Sequence, residues 1–410
     1  MRTMDIIQRP RALNWFKTWR DRDVIKVVTG LRRSGKSTAM TLARQALEAD
    51  GTPPDAIIYL DIERMAFDAP KTAEELYRMV ISRMDVSEQK QTYIFIDEVQ
   101  RIPHFEQAVD ALYAREDTDV YITGSNSDLL SSELGTLLTG RYVELHMMPL
   151  SFAEYRSAFP EREDDDTILN RYLIYGGLPY TTALPEEDTA DYLDGVLNTI
   201  LIKDVSQRHP RFNLTSLRAL LAFMADNIGN QFSLKIIADG LARNGSKLSP
   251  TTVGEYLDAL TESYILYEAK PYDAKGKRLL ERGGKYYLGD LGFRHLLLGR
   301  DQSDLGHRLE NLVYLELQRR SRKVFVGRAA STEIDFITED QHGTSYYQVA
   351  LSVLDEGTLS RELAPLRSIQ DNYPKTLLTL DRIGLGDYGG IRHVNIVDWL
   401  LERPRAGASR

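Results

Sequence analysis

One octapeptide limits what this chain can fold into more than any other feature. Gly30-Leu-Arg-Arg-Ser-Gly35-Lys36-Ser37 satisfies the pattern G-x-x-x-x-G-K-[ST] at every position. Its two glycines let the backbone curl, so that successive N–H groups point inward as a nest for phosphate oxygens. The helix expected to begin after Gly35 adds the positive end of its dipole. In such a loop Lys36 reaches the β- and γ-phosphates, and the Ser37 hydroxyl is a Mg²⁺ ligand. Gly30, Arg32, Arg33, Ser34, Gly35 and Thr38 complete the segment expected to hold ATP, with Arg32 and Arg33 facing either nucleotide or solvent.

The loop needs a strand before it and a helix after it, and the flanking pattern supplies both. Short apolar runs at 24–29, 56–61, 93–97, 119–124 and 142–147 read as buried parallel strands. Helical patterns at 37–48, 72–81 and 105–115 separate them. Strands alternating with helices predict an α/β domain with a parallel sheet covered on both faces.

The second half of the site is Tyr93-Ile-Phe-Ile-Asp97-Glu98, a buried strand ending in two acids. Asp97 is expected to hold Mg²⁺ through water, and Glu98 to orient and deprotonate the attacking water. An acid directly after the metal-binding aspartate favours hydrolysis over phosphoryl transfer to a second substrate. The next strand ends Thr123-Gly124-Ser125-Asn126. Ligands of parallel sheets lie at the strand C-termini, so Ser125 or Asn126 is either a sensor of the γ-phosphate or a helix cap. Arg141, just before the fifth strand, is either an arginine finger for a neighbouring subunit or a surface arginine paired with a carboxylate.

Together these residues identify a resemblance. The chain looks like the prokaryotic AAA-type ATPases that carry a C-terminal domain of unknown function, relatives of the archaeal ATPase group. The likeness rests on 25–38, 94–100, 122–125, Gly140-Arg141, Pro149-Leu-Ser-Phe-Ala-Glu-Tyr155 and Tyr175-Gly-Gly-Leu-Pro179, and further on 306–317, Glu333-Ile-Asp-Phe336 and Tyr347-Gln-Val-Ala350. It implies a P-loop sheet of order 5-1-4-3-2, a helical lid whose Gly177–Pro179 turn touches the adenine, and a homo-oligomer. The expected division is an ATPase core over 1–150, the lid over 151–210, a winged helix over 211–300 and a nuclease-like α/β domain over 301–410.

The winged-helix expectation comes from three helical stretches at 216–227, 233–243 and 250–261, followed by strand-like runs at 264–271 and 285–288. Between them lie Lys270, Lys275, Lys277, Arg278, Arg282 and Lys285, opposed only by Asp273 and Glu281. This local excess stands inside a chain of 51 Lys and Arg against 60 Asp and Glu, a net charge of −9. Such a loop contacts DNA phosphates, or else the module docks proteins. Thr251, Thr252 and Glu255 are expected on the exposed face of the third helix.

The last segment resembles the PD-(D/E)XK nuclease fold, with Glu310 and Asp335 in the first two acidic positions. Its third step reads Gln348-Val-Ala350, without the second acid or the lysine, so nuclease activity is not expected. The absence of cysteine rules out disulfides and thiolate metal sites and suggests a reducing compartment. The seven histidines show no ligand spacing. No apolar run approaches the roughly 20 residues of a membrane span, and the first 22 residues lack a signal-peptide core, so a cytoplasmic location is expected. These features lead to an ATP-driven oligomeric machine acting on DNA, with an ATP-gated protein scaffold as the rival and a regulated nuclease third.

Overall fold

The computed structural model describes residues 6–84, 91–125, 140–274, 276, 278–280, 284–299, 305–329, 332–341 and 343–403. Asn126, Lys275, Lys277 and Arg282 lie outside the described residues. The chain divides into two compact units, 1–149 with 262–264, and 150–261 with 265–410.

The first unit is built on strands β1 (Ile25–Thr29), β2 (Ile57–Asp61), β3 (Thr92–Asp97), β4 (Thr118–Thr123) and β5 (Tyr142–His146). They form a fully parallel sheet in the order β2-β3-β4-β1-β5, which is the expected 5-1-4-3-2 order. Helices α1 (Pro10–Trp19), α2 (Lys36–Ala49), α3 (Ala73–Met84) and α4 (Phe105–Tyr113) cover it. Side chains alternate across a strand, and here the two sets bury different helices. Ile25, Val27, Ile94, Ile96, Val120 and Ile122 pack with Leu76 and Val80 of α3 and Val109 and Leu112 of α4. Val28, Phe95 and Tyr121 pack with Phe16 of α1 and Met40, Ala43 and Leu47 of α2. Phe95 and Tyr121 stack with centroids 4.5 Å apart. Each such side chain taken from water contributes about 1.5–3 kcal/mol. This double coverage holds the strand ends that carry the polar residues.

The second unit begins with helices α5 (Phe152–Arg156), α6 (Asp165–Tyr175) and α7 (Glu186–Thr199), the last running into a π-helical segment, Ile200–Ser206. α5 opens on a capping box between Ser151 and Glu154, immediately after Pro149. Helices α8 (Leu214–Asp226), α9 (Leu234–Arg243) and α10 (Pro250–Glu262) follow. Asn213 and Ser233 cap the first two. Ser249 accepts from the Thr252 N–H at 3.1 Å, as expected for a cap before Pro250. Strand β6 (Leu266–Ala269) then pairs antiparallel with β9 (Lys285–Leu288).

Between those strands the chain does something its composition did not announce. Strand β7 (Pro271–Asp273) pairs parallel with β10 (Lys323–Ala329), and β8 (Arg278–Leu279) pairs with β7. The basic segment therefore extends an eight-stranded mixed sheet as its edge hairpin. That sheet also holds β11 (Thr332–Asp340), β12 (Gly343–Val349), β13 (Lys375–Thr379), β14 (Gly386–Asp387) and β15 (Ile391–Asn395), in the order β14-β15-β13-β12-β11-β10-β7-β8. The physical reason is the edge of β10, whose unpaired backbone groups are satisfied by the added strands. Tyr272 also stacks on Phe325 at 5.2 Å. Helices α11 (Leu291–Leu298), α12 (Leu305–Arg320), α13 (Glu356–Arg367) and α14 (Ile396–Leu400) complete the unit. Among the described residues no helix is long and apolar enough to cross a membrane.

Candidate functional site

The glycine-rich loop leaves the carboxyl end of β1 and opens α2. Gly30 has φ +137°, and a Cβ there would meet the Met147 carbonyl oxygen at 2.1 Å, so no side chain fits. Arg33 and Gly35 also take positive φ, at 66° and 101°. This alternation of backbone conformations turns N–H groups to one side and forms a concave nest. Gly35 caps α2 without a side chain, and first-turn N–H groups at such a helix start are the ones that an anion takes up. Ser34 is buried, and its hydroxyl oxygen has no hydrogen-bond partner. Arg32 stands 3.9 Å from Glu63, while Arg33 is exposed.

Lys36 is buried. It donates to the carbonyls of Gly30 at 3.0 Å and Leu31 at 3.2 Å and lies 3.9 Å from Glu98 Oε1. Glu98 follows β3 in the left-handed region, φ 57°, which turns it out of the strand direction. Gln100 donates to Glu98 Oε2 at 2.7 Å and to Ser125 Oγ at 3.3 Å. Lys36, Glu98, Gln100 and Ser125 thus form one polar string across the carboxyl ends of β1, β3 and β4.

Asp97 sits beside that string. The Thr123 hydroxyl donates to Asp97 Oδ1 and accepts from the Glu98 backbone N–H at 2.8 Å, tying the tip of β4 to both acids. Tyr59 donates to the other Asp97 oxygen at 3.3 Å. Burial pushes the Asp97 carboxyl above its ordinary pKa, hydroxyl hydrogen bonds from Ser37 and Thr123 draw it back, and the Glu98 and Asp61 charges raise it again. A divalent cation would relieve that cost. The donor set of Asp97 carboxylate and Ser37 hydroxyl is all oxygen, as a hard ion such as Mg²⁺ requires. The inward N–H groups suit an anion as large as a triphosphate. The residues present therefore fit both groups.

Other predicted residues lie elsewhere. Arg141 precedes β5, level with Val24 in the register that pairs Ile25 with Tyr142. It is at the amino end of the sheet, about 16 Å of strand away from the loop. There it pairs with Asp110 at 3.0 Å. The structure does not bring Arg141 to the cradle of its own chain. Pro179 starts a 3₁₀ turn, Pro179–Thr182, in the second unit. The preceding Gly177 donates its N–H to Asp290 at 2.8 Å. Arg278 is exposed on the edge hairpin, 4.0 Å from Asp273. Glu310, Asp335 and Gln348 come from α12, β11 and β12. Gln348 donates to Glu362 at 3.1 Å, a bond that an acid at this position could not make when ionised.

Three contributors escaped the sequence reading. Thr123 and Gln100 stood inside motifs already noted, as a strand-end hydroxyl and a polar residue two positions after the acid pair. Arg9 left no signal. Its guanidinium donates to Ser34 O at 3.0 Å and Met148 O at 2.9 Å, pinning the loop to the exit of β5 across 25 and 139 residues of sequence.

With this geometry, the relatives of the chain fall into place. Residues 22–156 match the AAA domain family, and 166–304 match a domain of unknown function (DUF8612). An uncharacterized protein of Haemophilus influenzae is 34% identical over 400 residues, covering 97% of this chain and 99% of its own length. One of Methanocaldococcus jannaschii is 28% identical over 332 residues, covering 76% of this chain and 71% of its own length. Among solved structures, the Walker-type ATPase PABY2304 of Pyrococcus abyssi shares the fold, with a TM-score of 0.50 and 16% identity over 72% of this chain and 97% of that one. The chain belongs to the family of AAA-type P-loop ATPases that carry a C-terminal domain of unknown function.

Proposed function

We propose that the chain binds ATP with Mg²⁺ on residues 30–38 and hydrolyses it, and that turnover drives an oligomeric assembly acting on DNA. The observation that carries the hydrolysis is the string Lys36–Glu98–Gln100–Ser125 beside the clamped Asp97. The N–H nest and Lys36 bind the phosphates. Ser37 and Asp97 would hold Mg²⁺, which supplies charge neutralisation on the phosphate oxygens when bound. Glu98, oriented by Gln100, takes the proton of the attacking water. Ser125 reports on the same point through Gln100.

The test is turnover against binding. Glu98→Gln should keep nucleotide affinity and lose about 10²–10⁴-fold in turnover, while Lys36→Ala should weaken binding itself. Normal turnover by Glu98→Gln would remove Glu98 from the role of base.

The DNA reading draws on the exposed Lys270 and Arg278. One observation favours a protein partner instead. The exposed face of α10 carries Glu255 and Asp258, and α9 exposes Leu234 and Ile236. Carboxylates repel phosphates, whereas an apolar and acidic surface suits a protein. Turnover stimulated by duplex DNA, with a steep loss on raising salt, supports the first partner. ATP-dependent retention of a protein, with no response to DNA, supports the second.

A further inference from the structure

The nuclease-like part of the second unit contains a lysine where its sequence motif has none. Lys285 lies at the start of β9, buried, some 60 residues before the motif that lacks one. Its ammonium donates to Glu310 Oε1 at 3.1 Å and pairs with Glu333. Tyr287, two residues on and on the same face of the strand, donates to Glu310 Oε1 at 2.7 Å. Asp335 lies half-buried near them and accepts from the Val349 N–H at 2.8 Å. Gln231 donates to Glu333 Oε2 at 3.1 Å, so the chain before α9 reaches the same cluster.

A nuclease of this fold needs its acids to take up a divalent ion. These residues do not fit one. A fixed ammonium within hydrogen-bond reach of Glu310 and Glu333 repels an incoming dication and already supplies positive charge. Burial works against a charged lysine, yet the Glu310, Asp335 and Glu333 carboxylates hold its pKa above the ordinary lysine value. Loss of hydration and, after it, the nearby Glu310 charge hold the Asp335 carboxyl well above the usual carboxylate range. Among the described residues no group of three or more His, Asp or Glu is arranged to hold a metal.

We propose that Lys285 is a built-in counter-ion, whose ammonium takes the place of a divalent cation among Glu310, Glu333 and Asp335. The pocket is thereby metal-independent and does not cleave nucleic acid. Its work is to clamp β9 to α12 and β11, joining the three-helix segment to the eight-stranded sheet. The clamp does not depend on the ATP reading of the first unit.

The experiment measures thermal unfolding of the full chain with Mn²⁺ or with EDTA. Wild type and Lys285→Arg should unfold at the same temperature in both media. Lys285→Met should unfold lower in EDTA and gain about 2–4 °C in Mn²⁺, a gain that the added change Asp335→Asn removes. If Lys285→Met does not fold in either medium, the double variant Lys285→Met/Glu310→Gln, which removes one charge of each sign, should recover the fold. Three results would overturn the proposal: an Asp335-dependent Mn²⁺ shift in wild type, a folded Lys285→Met without any Mn²⁺ response, or a double variant no more stable than the single one. Mn²⁺-dependent DNA cleavage by wild type, lost in Asp335→Asn, would overturn it as well.

Discussion

Two buried lysines, one in each unit, lie near carboxylates and are bonded in opposite ways. Lys36 donates to two neutral carbonyls and stands 3.9 Å from Glu98. Lys285 is closed on two acids, at 3.1 Å from Glu310 and in direct contact with Glu333. Carbonyl partners are exchanged for phosphate oxygens at little cost, because neither state strands a charge. Carboxylate partners are not, since pulling one partner from a buried pair leaves the other uncompensated. On the two proposals made above, the difference separates a lysine that serves a ligand from one that serves the fold. A lysine beside acids is therefore not by itself a catalytic signal; what decides is whether its hydrogen bonds go to neutral or to charged groups.

The comparison breaks most sharply at Lys36. Lys36→Met should lower ATP turnover about 10²–10³-fold, yet move the unfolding free energy without nucleotide by less than about 1 kcal/mol. A large loss of stability would make it a second structural lysine. The mirror change, Lys285→Met, should cost about 2–4 kcal/mol of stability in denaturant unfolding. The ATP turnover of its folded fraction should stay near wild type. A turnover defect as deep as that of Lys36→Met would erase the contrast.

Asp290 sharpens the picture of the second unit. Burial pushes its carboxyl up to about 7, against backbone hydrogen bonds from Gly177 and Gly292. A carboxyl raised on folding binds more protons in the folded state. Its contribution is complete below the usual carboxylate range and is lost as pH rises toward about 7. The stability of wild type minus that of Asp290→Asn should therefore fall between about pH 4 and pH 7, by on the order of 4 kcal/mol, and level off above. A difference that stays flat or rises over that range contradicts this assignment. In the first unit, Gln100→Ala should cost only about tenfold in turnover, because it orients Glu98 without taking the proton. A rate unchanged within twofold would leave the hydrogen bond from Gln100 to Glu98 without a catalytic role.

How much was legible in advance differs between the units for a physical reason. Strands β1 and β3 are buried on both faces and read as continuous apolar runs, Ile25–Thr29 and Thr92–Asp97. The expected spans fell within a residue of them. α8, α9 and α10 were expected at 216–227, 233–243 and 250–261, within two residues of where they lie. The edge strands did not. β7 and β8, of three and two residues, carry too few side chains for a period, and their pairing is set by β10, some 50 residues later. Helix α13 and strands β13 and β15 were not anticipated, although their buried side chains complete the core of the eight-stranded sheet.

The chain's sequence by itself determined the phosphate loop and the two acids at the tip of β3, while the strand order came from the family resemblance. Those features depend on residues close together in the chain, where glycine conformation and strand burial act locally. Tertiary structure alone decided that Arg9 pins the loop, that Thr123 bridges both acids, that Arg141 lies at the far end of its own sheet and that Lys285 fills the acidic pocket. Each of these is a meeting of charged or hydroxyl groups from distant segments. Such meetings are set by packing across the core, and no local pattern records them.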